Sequence, residues 1–98
     1  MLFKRTIEHK VNRALRKLPR YSASNKGLRY EKQVYSYRAV VDGDCIYIKL
    51  YYLGDIDHLS IDSLFAYAST MLDKFGYLFQ GIARYDLNHE LCLTFKKG

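Results

Sequence analysis

Residues 33–53, QVYSYRAVVDGDCIYIKLYYL, predict a β-hairpin. β-Branched and aromatic residues alternate with polar ones on both sides of Asp42–Gly43, a dipeptide typical of tight hairpin turns. A two-residue loop at Asp42–Gly43 pairs Val41 with Asp44 and Ala39 with Ile46. In this register one face of the hairpin is apolar and the other is mixed, as a half-buried sheet requires.

The mixed face of this hairpin is the first candidate binding surface. Its cations and aromatic rings resemble a platform on which unpaired bases stack. The same residues also suit cross-strand packing or a tyrosine-rich dimer interface, and these alternatives stay open. The four residues concerned are Arg38, Tyr47, Lys49 and Tyr51. Val34 is expected beside them, whereas Tyr35 is expected on the apolar face.

Two amphipathic helices are predicted, over residues 3–18 and 60–75. In both segments apolar residues recur at three- and four-residue spacings and so share one helix face. Pro19 is expected to stop the first helix, since proline cannot donate to the helical hydrogen-bond ladder. Ser60 is the expected N-cap of the second helix, and Gly76 is expected to close it in a left-handed conformation.

A second hairpin is predicted over residues 78–96. A loop at 86–88 pairs Tyr85 with His89 and gives Asn88 the left-handed position of a three-residue hairpin loop. The core face of this hairpin is then expected to carry Gly81, Ala83, Tyr85, Leu91, Leu93 and Phe95. The outward face is expected to carry Ile82, Arg84, Cys92 and Thr94.

These elements predict a single α+β domain over residues 1–98 with the order α-β-β-α-β-β. A chain of 98 residues is long enough for one domain and too short for two. The two hairpins are expected to join into one antiparallel four-stranded sheet. Both helices are expected on the apolar face of that sheet, because each must bury its apolar stripe.

Positive charge is concentrated in the first third of the chain. The formal net charge is +6, and residues 1–32 hold ten lysines and arginines against two glutamates. Only Glu8 opposes the cations of the first helix. Such a basic face is the footprint expected of a protein that neutralises nucleic-acid phosphates. The expected phosphate contacts are Arg5, Lys10, Arg13, Arg16 and Lys17, with Arg20, Lys26 and Arg29 in the following loop.

The charge pattern therefore favours a small, non-catalytic protein that binds DNA or RNA. No sequence selectivity is predicted, because phosphate contacts position a protein without specifying a sequence. An alternative is a protein-interaction module, such as a small inhibitor or adaptor of the phage or mobile-element type. It would dock an acidic protein partner through the same basic face. A homodimer is a separate expectation, motivated by small size and the tyrosine-rich hairpin face.

Catalytic, metal and cofactor sites are not predicted. The segment 54–58, GDIDH, holds two carboxylates and an imidazole, but its spacing matches no calcium or zinc signature. Asp42 and Asp44 lie at the other end of the first hairpin and cannot complete a metal site. The cysteines, Cys45 and Cys92, lie on strands without the features that lower the pKa of a thiol. No enzyme class, metal or cofactor is expected.

A cytoplasmic location is expected. The N-terminus, MLFKRTIEHK, lacks the apolar stretch of a secretory signal. No apolar run is long enough to cross a membrane, so no membrane partner is expected. Both cysteines are expected to be reduced thiols.

Overall fold

The computed structural model describes residues 2–18, 21–23, 30–32, 34–53 and 58–98. Its two helices are α1 (Leu2–Leu15) and α2 (His58–Asp73). Its strands are β1 (Tyr21–Ala23), β2 (Tyr30–Lys32), β3 (Val34–Asp42), β4 (Cys45–Tyr52), β5 (Tyr77–Tyr85) and β6 (Glu90–Lys97).

The main sheet has four antiparallel strands in the order β3-β4-β6-β5. The buried side chains of both helices join those of one sheet face in a single core, so the predicted α+β architecture with both helices on one face is confirmed. The largest side chains that are fully buried are, among the described residues, Val11, Leu15, Val34, Ile46, Ile48, Leu50, Leu64, Leu72, Leu91, Leu93 and Phe95. Strands β1 and β2 form a separate two-stranded ribbon that the sequence analysis did not predict.

The helix ends differ from the predicted ones by a few residues. Helix α1 ends at Leu15, and the amides of Lys17 and Leu18 bond three residues back, at 3.0 and 3.1 Å, in a tighter final turn. Helix α2 begins at His58, so Ser60 lies inside its first turn and the N-cap prediction is wrong. Gly76 has a φ of +83° and closes α2 in the left-handed conformation, as predicted.

The first hairpin turns one residue later than predicted. Asp42 pairs with Cys45, so the loop is Gly43–Asp44 and Ala39 pairs with Ile48. Gly43, with a φ of +58°, occupies the first loop position, where a type II′ turn needs a positive φ. The pairing is displaced by two residues, and because side chains alternate with period two, both faces of the central hairpin keep their predicted residues.

A β-bulge at the start of β3 reverses one local prediction. The register shifts between Val34 and Ser36. Val34 is buried in the core and Tyr35 is 65% exposed, the opposite of the predicted arrangement. The bulge inserts one residue, and one extra residue exchanges the faces of the positions before it.

The predicted register of the second hairpin is wrong. Tyr85 pairs with Glu90 and Ala83 with Cys92. His89, not Asn88, adopts the left-handed conformation, with a φ of 51°, after a short 3-10 turn at Asp86–Asn88. The loop is one residue longer than predicted, and a one-residue slip exchanges the faces of a strand. Gly81, Ala83 and Tyr85 therefore lie on the face away from the helices, whereas Ile82 and Arg84 lie on the helix side.

A polar cluster fastens this turn to the end of β4. The Tyr52 ring is buried, and its hydroxyl donates to Asp86 Oδ1 at 2.9 Å. The Arg84 guanidinium donates to the same carboxylate, and the His89 ring stacks on Tyr52 with centroids 5.3 Å apart. The hydrogen bond from Arg84, followed by that from Tyr52, lowers the pKa of Asp86. Burial, followed by the bond to Asp86, raises the pKa of Tyr52.

The raised pKa of Tyr52 predicts a loss of stability in alkaline solution. The phenol of an unfolded tyrosine titrates at about pH 10. Because folding favours the neutral phenol, the contribution of Tyr52 to the free energy of unfolding is fully present below that pH. It is lost as the pH rises through the higher pKa that Tyr52 has in the folded state. We expect Tyr52→Phe to cost about 1 kcal/mol at pH 7, from the lost hydrogen bond. The variant should also lose less stability than the native chain between pH 9 and pH 11 in urea titrations. Equal losses in both proteins would contradict the assignment.

Candidate nucleic-acid interface

Helix α1 contacts the sheet through an apolar stripe and a polar row beside it. Ile7, Val11 and Leu15 are buried in the core. Asn12 and Glu8, on the neighbouring row, reach the backbone of β3. Strand β3 is an edge strand, so the backbone groups on its outer side have no neighbouring strand to bond.

The polar row of α1 supplies the hydrogen bonds that a further strand would have supplied. Asn12 Nδ2 donates to the Ala39 carbonyl at 3.0 Å, and the Ala39 amide donates to Asn12 Oδ1 at 2.7 Å. The Val41 amide donates to Glu8 Oε2 at 3.0 Å. Four helical residues rise about 6 Å and two strand residues about 6.7 Å, so residues one helical turn apart meet alternate strand residues. The edge of β3 is therefore capped by side chains of α1.

This capping removes the acidic side chain from the exposed face of α1. Glu8 is half-buried against β3, whereas the cations on the other side of the helix are exposed. Among the described residues, no ion pair involves these cations. The exposed cations of α1 and of the tight turn that follows it, called the basic face of α1 below, are Lys10, Arg13, Arg16 and Lys17, with His9 beside them.

The remaining predicted phosphate contacts are not placed. Arg5 belongs to α1, but its side chain lies outside the described part of the chain. Arg20, Lys26 and Arg29 lie outside the described residues, as do Pro19 and segment 54–57.

The sheet face opposite the helices, called the outer face below, brings together the second set of predicted residues. Arg38 pairs with Lys49 across β3 and β4, and Tyr47 and Tyr51 flank Lys49 on β4. Cys92 and Ala83 continue the Arg38–Lys49 row, whereas Glu90 and Tyr85 continue the row of Tyr51. The sequence analysis missed Tyr85 because its predicted register placed that residue on the core face.

Charge on the outer face is partly compensated. Lys49 Nζ lies 3.7 Å from Glu90 Oε1, whereas exposed Arg38 makes no ion pair within the described residues. Burial, followed by the hydrogen bond to Glu90, raises the pKa of Tyr51. Burial also raises the pKa of the Cys92 thiol, which keeps it protonated at neutral pH and unsuited to nucleophilic chemistry.

Two other kinds of feature, a cluster of metal ligands and a membrane-spanning helix, are not found among the described residues. Within residues 2–18, 21–23, 30–32, 34–53 and 58–98, no group of three or more His, Cys, Asp or Glu side chains is placed to hold a metal ion. In the same part of the chain, neither helix has the length and apolar character needed to cross a membrane.

Comparisons with protein families, curated proteins and solved structures gave no match to this chain. Functional inference therefore depends on its own residues.

Proposed function

We propose that this protein binds nucleic acid without catalysis, through phosphate contacts with the basic face of α1. The observation that carries the proposal is the position of Glu8. The only acidic residue of α1 bonds the edge of β3, so the described residues on the solvent-exposed side of the helix are cations and His9, with no acidic side chain among them. Ordinary solvated helix faces carry positive and negative side chains interspersed, whereas a face with only positive side chains attracts polyanions.

The basic face has dimensions that suit a phosphate backbone. Lys10 and Lys17 are seven residues apart, so the cations are spread over about 10 Å of helix axis. Duplex DNA carries one charge per about 1.7 Å of its axis, so each cation can meet a different phosphate. Such phosphate contacts bind nucleic acid of any base sequence, because they do not touch the base edges.

The cellular setting is part of the same proposal. Cys45 and Cys92 are both unpaired. Unpaired cysteines are typical of a reducing compartment, and we place the protein in the cytoplasm.

Salt dependence tests the proposal directly. Four phosphate contacts give a slope of log K against log salt between about −2.8 for single strands and about −3.6 for duplex. Raising the salt from 50 to 200 mM should then weaken binding by about 50- to 150-fold. Fluorescence anisotropy with labelled 20-nucleotide single strands and duplexes measures the slope.

Two results would contradict nucleic-acid binding. One is binding that is indifferent to salt, and the other is no binding of either probe at 50 mM salt. A cellular partner that remains attached after nuclease treatment would instead support docking of an acidic protein on the same basic face, since carboxylates and phosphates share the charge that this face attracts.

A further inference from the structure

A groove of about 570 Å³ crosses the outer face of the sheet. Tyr47 of β4 and Tyr85 of β5 line it, and Cys92 lies between them on β6. The small side chain of Cys92 leaves room between the two tyrosines, and Lys49 lines the groove opposite it on β4. The groove is open to solvent, and neither described helix covers it because both pack on the opposite face.

Charges in the groove differ from those on α1. Lys49 is paired with Glu90, and the carboxylate of Asp42 also lines the groove. A phosphate placed here would meet two carboxylates and only one cation, which is already paired. A neutral aromatic ring meets no such repulsion, and exposed tyrosine rings provide stacking surfaces for it.

The groove lies close to the basic face of α1. Asn12 bonds the backbone of Ala39, and Arg38, the next residue along β3, projects onto the outer face. From Arg38 to Cys92 is two strand spacings, about 10 Å. Arg38 is exposed and has no ion pair among the described residues, although the cationic Lys49 lies directly opposite it. Like charges opposite each other destabilise a sheet, and a phosphate beside Arg38 would relieve this repulsion.

We infer that the groove binds bases of a single-stranded nucleic acid whose phosphates lie on the basic face of α1 and on Arg38. This inference rests on the proposed function and adds the strand type to it. The phosphates follow the cations, the bases turn inward onto Tyr47 and Tyr85, and Glu90 and Asp42 accept hydrogen bonds from exocyclic amino groups. A duplex keeps its bases stacked and paired, so it reaches only the phosphate contacts.

Three probes of equal length distinguish binding through bases from binding through phosphates. They are a single-stranded oligonucleotide, an abasic strand with the same backbone, and a duplex. Tyr85→Ala and Tyr47→Ala remove the stacking rings, and Tyr→Phe at the same positions retains them. Base–aromatic stacking is lost on alanine substitution, so we expect each alanine variant to bind the single strand about tenfold more weakly. Affinity for the abasic strand should stay unchanged, and the Phe variants should bind like the native chain.

Tyr85 gives the cleaner test, because its side chain is 50% exposed and its removal should not disturb folding. A single strand that binds no better than the abasic strand, or no loss of affinity on Tyr85→Ala, would overturn the inference and leave the proposed function standing. Failure of all three probes to bind would overturn both.

Discussion

Replacing Asn12 by alanine should lower the free energy of unfolding by about 2–4 kcal/mol. The Asn12 side chain donates to Ala39 O at 3.0 Å and accepts from Ala39 N at 2.7 Å. It therefore bonds both backbone groups of one residue on the edge strand. Alanine leaves both groups without a protein partner beneath a packed helix, and each orphaned polar group costs about 1–3 kcal/mol. Urea denaturation followed by circular dichroism measures the change.

The matched control for this substitution is Arg13→Ala, one residue away on the same helix. Arg13 is exposed and makes no described contact with the sheet, so its removal should change stability by no more than about 0.5 kcal/mol. Asn12→Asp is informative as well, because it keeps the acceptor for the Ala39 amide but places a carboxylate against the Ala39 carbonyl. We expect it to be less stable than the native chain. Equal stability of the Asn12→Ala and Arg13→Ala variants would show that α1 does not cap the edge of β3.

The contacts of Asn12 and Glu8 could not be predicted from the periodicity of the sequence. The three- and four-residue spacing identified the buried stripe of α1 because burial follows the helical period. It did not identify the row beside that stripe, whose contacts depend on which strand lies at the sheet edge. Glu8 therefore counted as an opposing charge on a basic helix, although it bonds the Val41 amide. The cations were predicted from the sequence, and the structure showed that no acidic side chain among the described residues of α1 lies with them on the exposed face.

The two hairpins differ in predictability for a physical reason. In the first, an error at the turn displaced the pairing by two residues, so beyond the bulge at Val34 the residues of its outer face, Arg38 and Tyr47 among them, were predicted correctly. In the second, the left-handed residue is His89, a type that adopts positive φ less often than glycine does. The error there was one residue, which exchanged the faces of β5 from Gly81 to Tyr85 and hid Tyr85 from the candidate site.

The two-stranded ribbon had no comparable signal. β1 and β2 are three residues each, too short for an alternation of apolar and polar side chains to stand out. Their pairing, Tyr21 with Lys32 and Ala23 with Tyr30, depends on contacts between residues that no local pattern marks.

The double charge reversal Arg13→Glu and Arg16→Glu should reduce nucleic-acid affinity by at least about 100-fold at 50 mM salt. Each substitution removes a phosphate contact and places a carboxylate where a phosphate approaches. The slope of log K against log salt should become shallower by about 2, since each lost contact lowers it by about 1. Arg13 on α1 and Arg16 in the turn after it are both exposed, so the far-ultraviolet circular dichroism spectrum and the urea midpoint should stay near those of the native chain.

The matched control is Lys74→Glu with Lys96→Glu, which changes the net charge by the same amount at exposed positions away from α1. If the location of the cations matters, this control should keep most of the affinity, whereas the α1 variant should lose it. Equal losses in the two variants would mean that net charge alone attracts the polyanion and that the basic face is not a binding surface. Full affinity in the α1 variant would place the phosphate contacts elsewhere on the chain. The difference in affinity between the two variants, more than either affinity alone, measures what the location of Arg13 and Arg16 contributes. Glu8, the acidic residue of α1, is turned toward β3 and leaves these exposed cations unopposed.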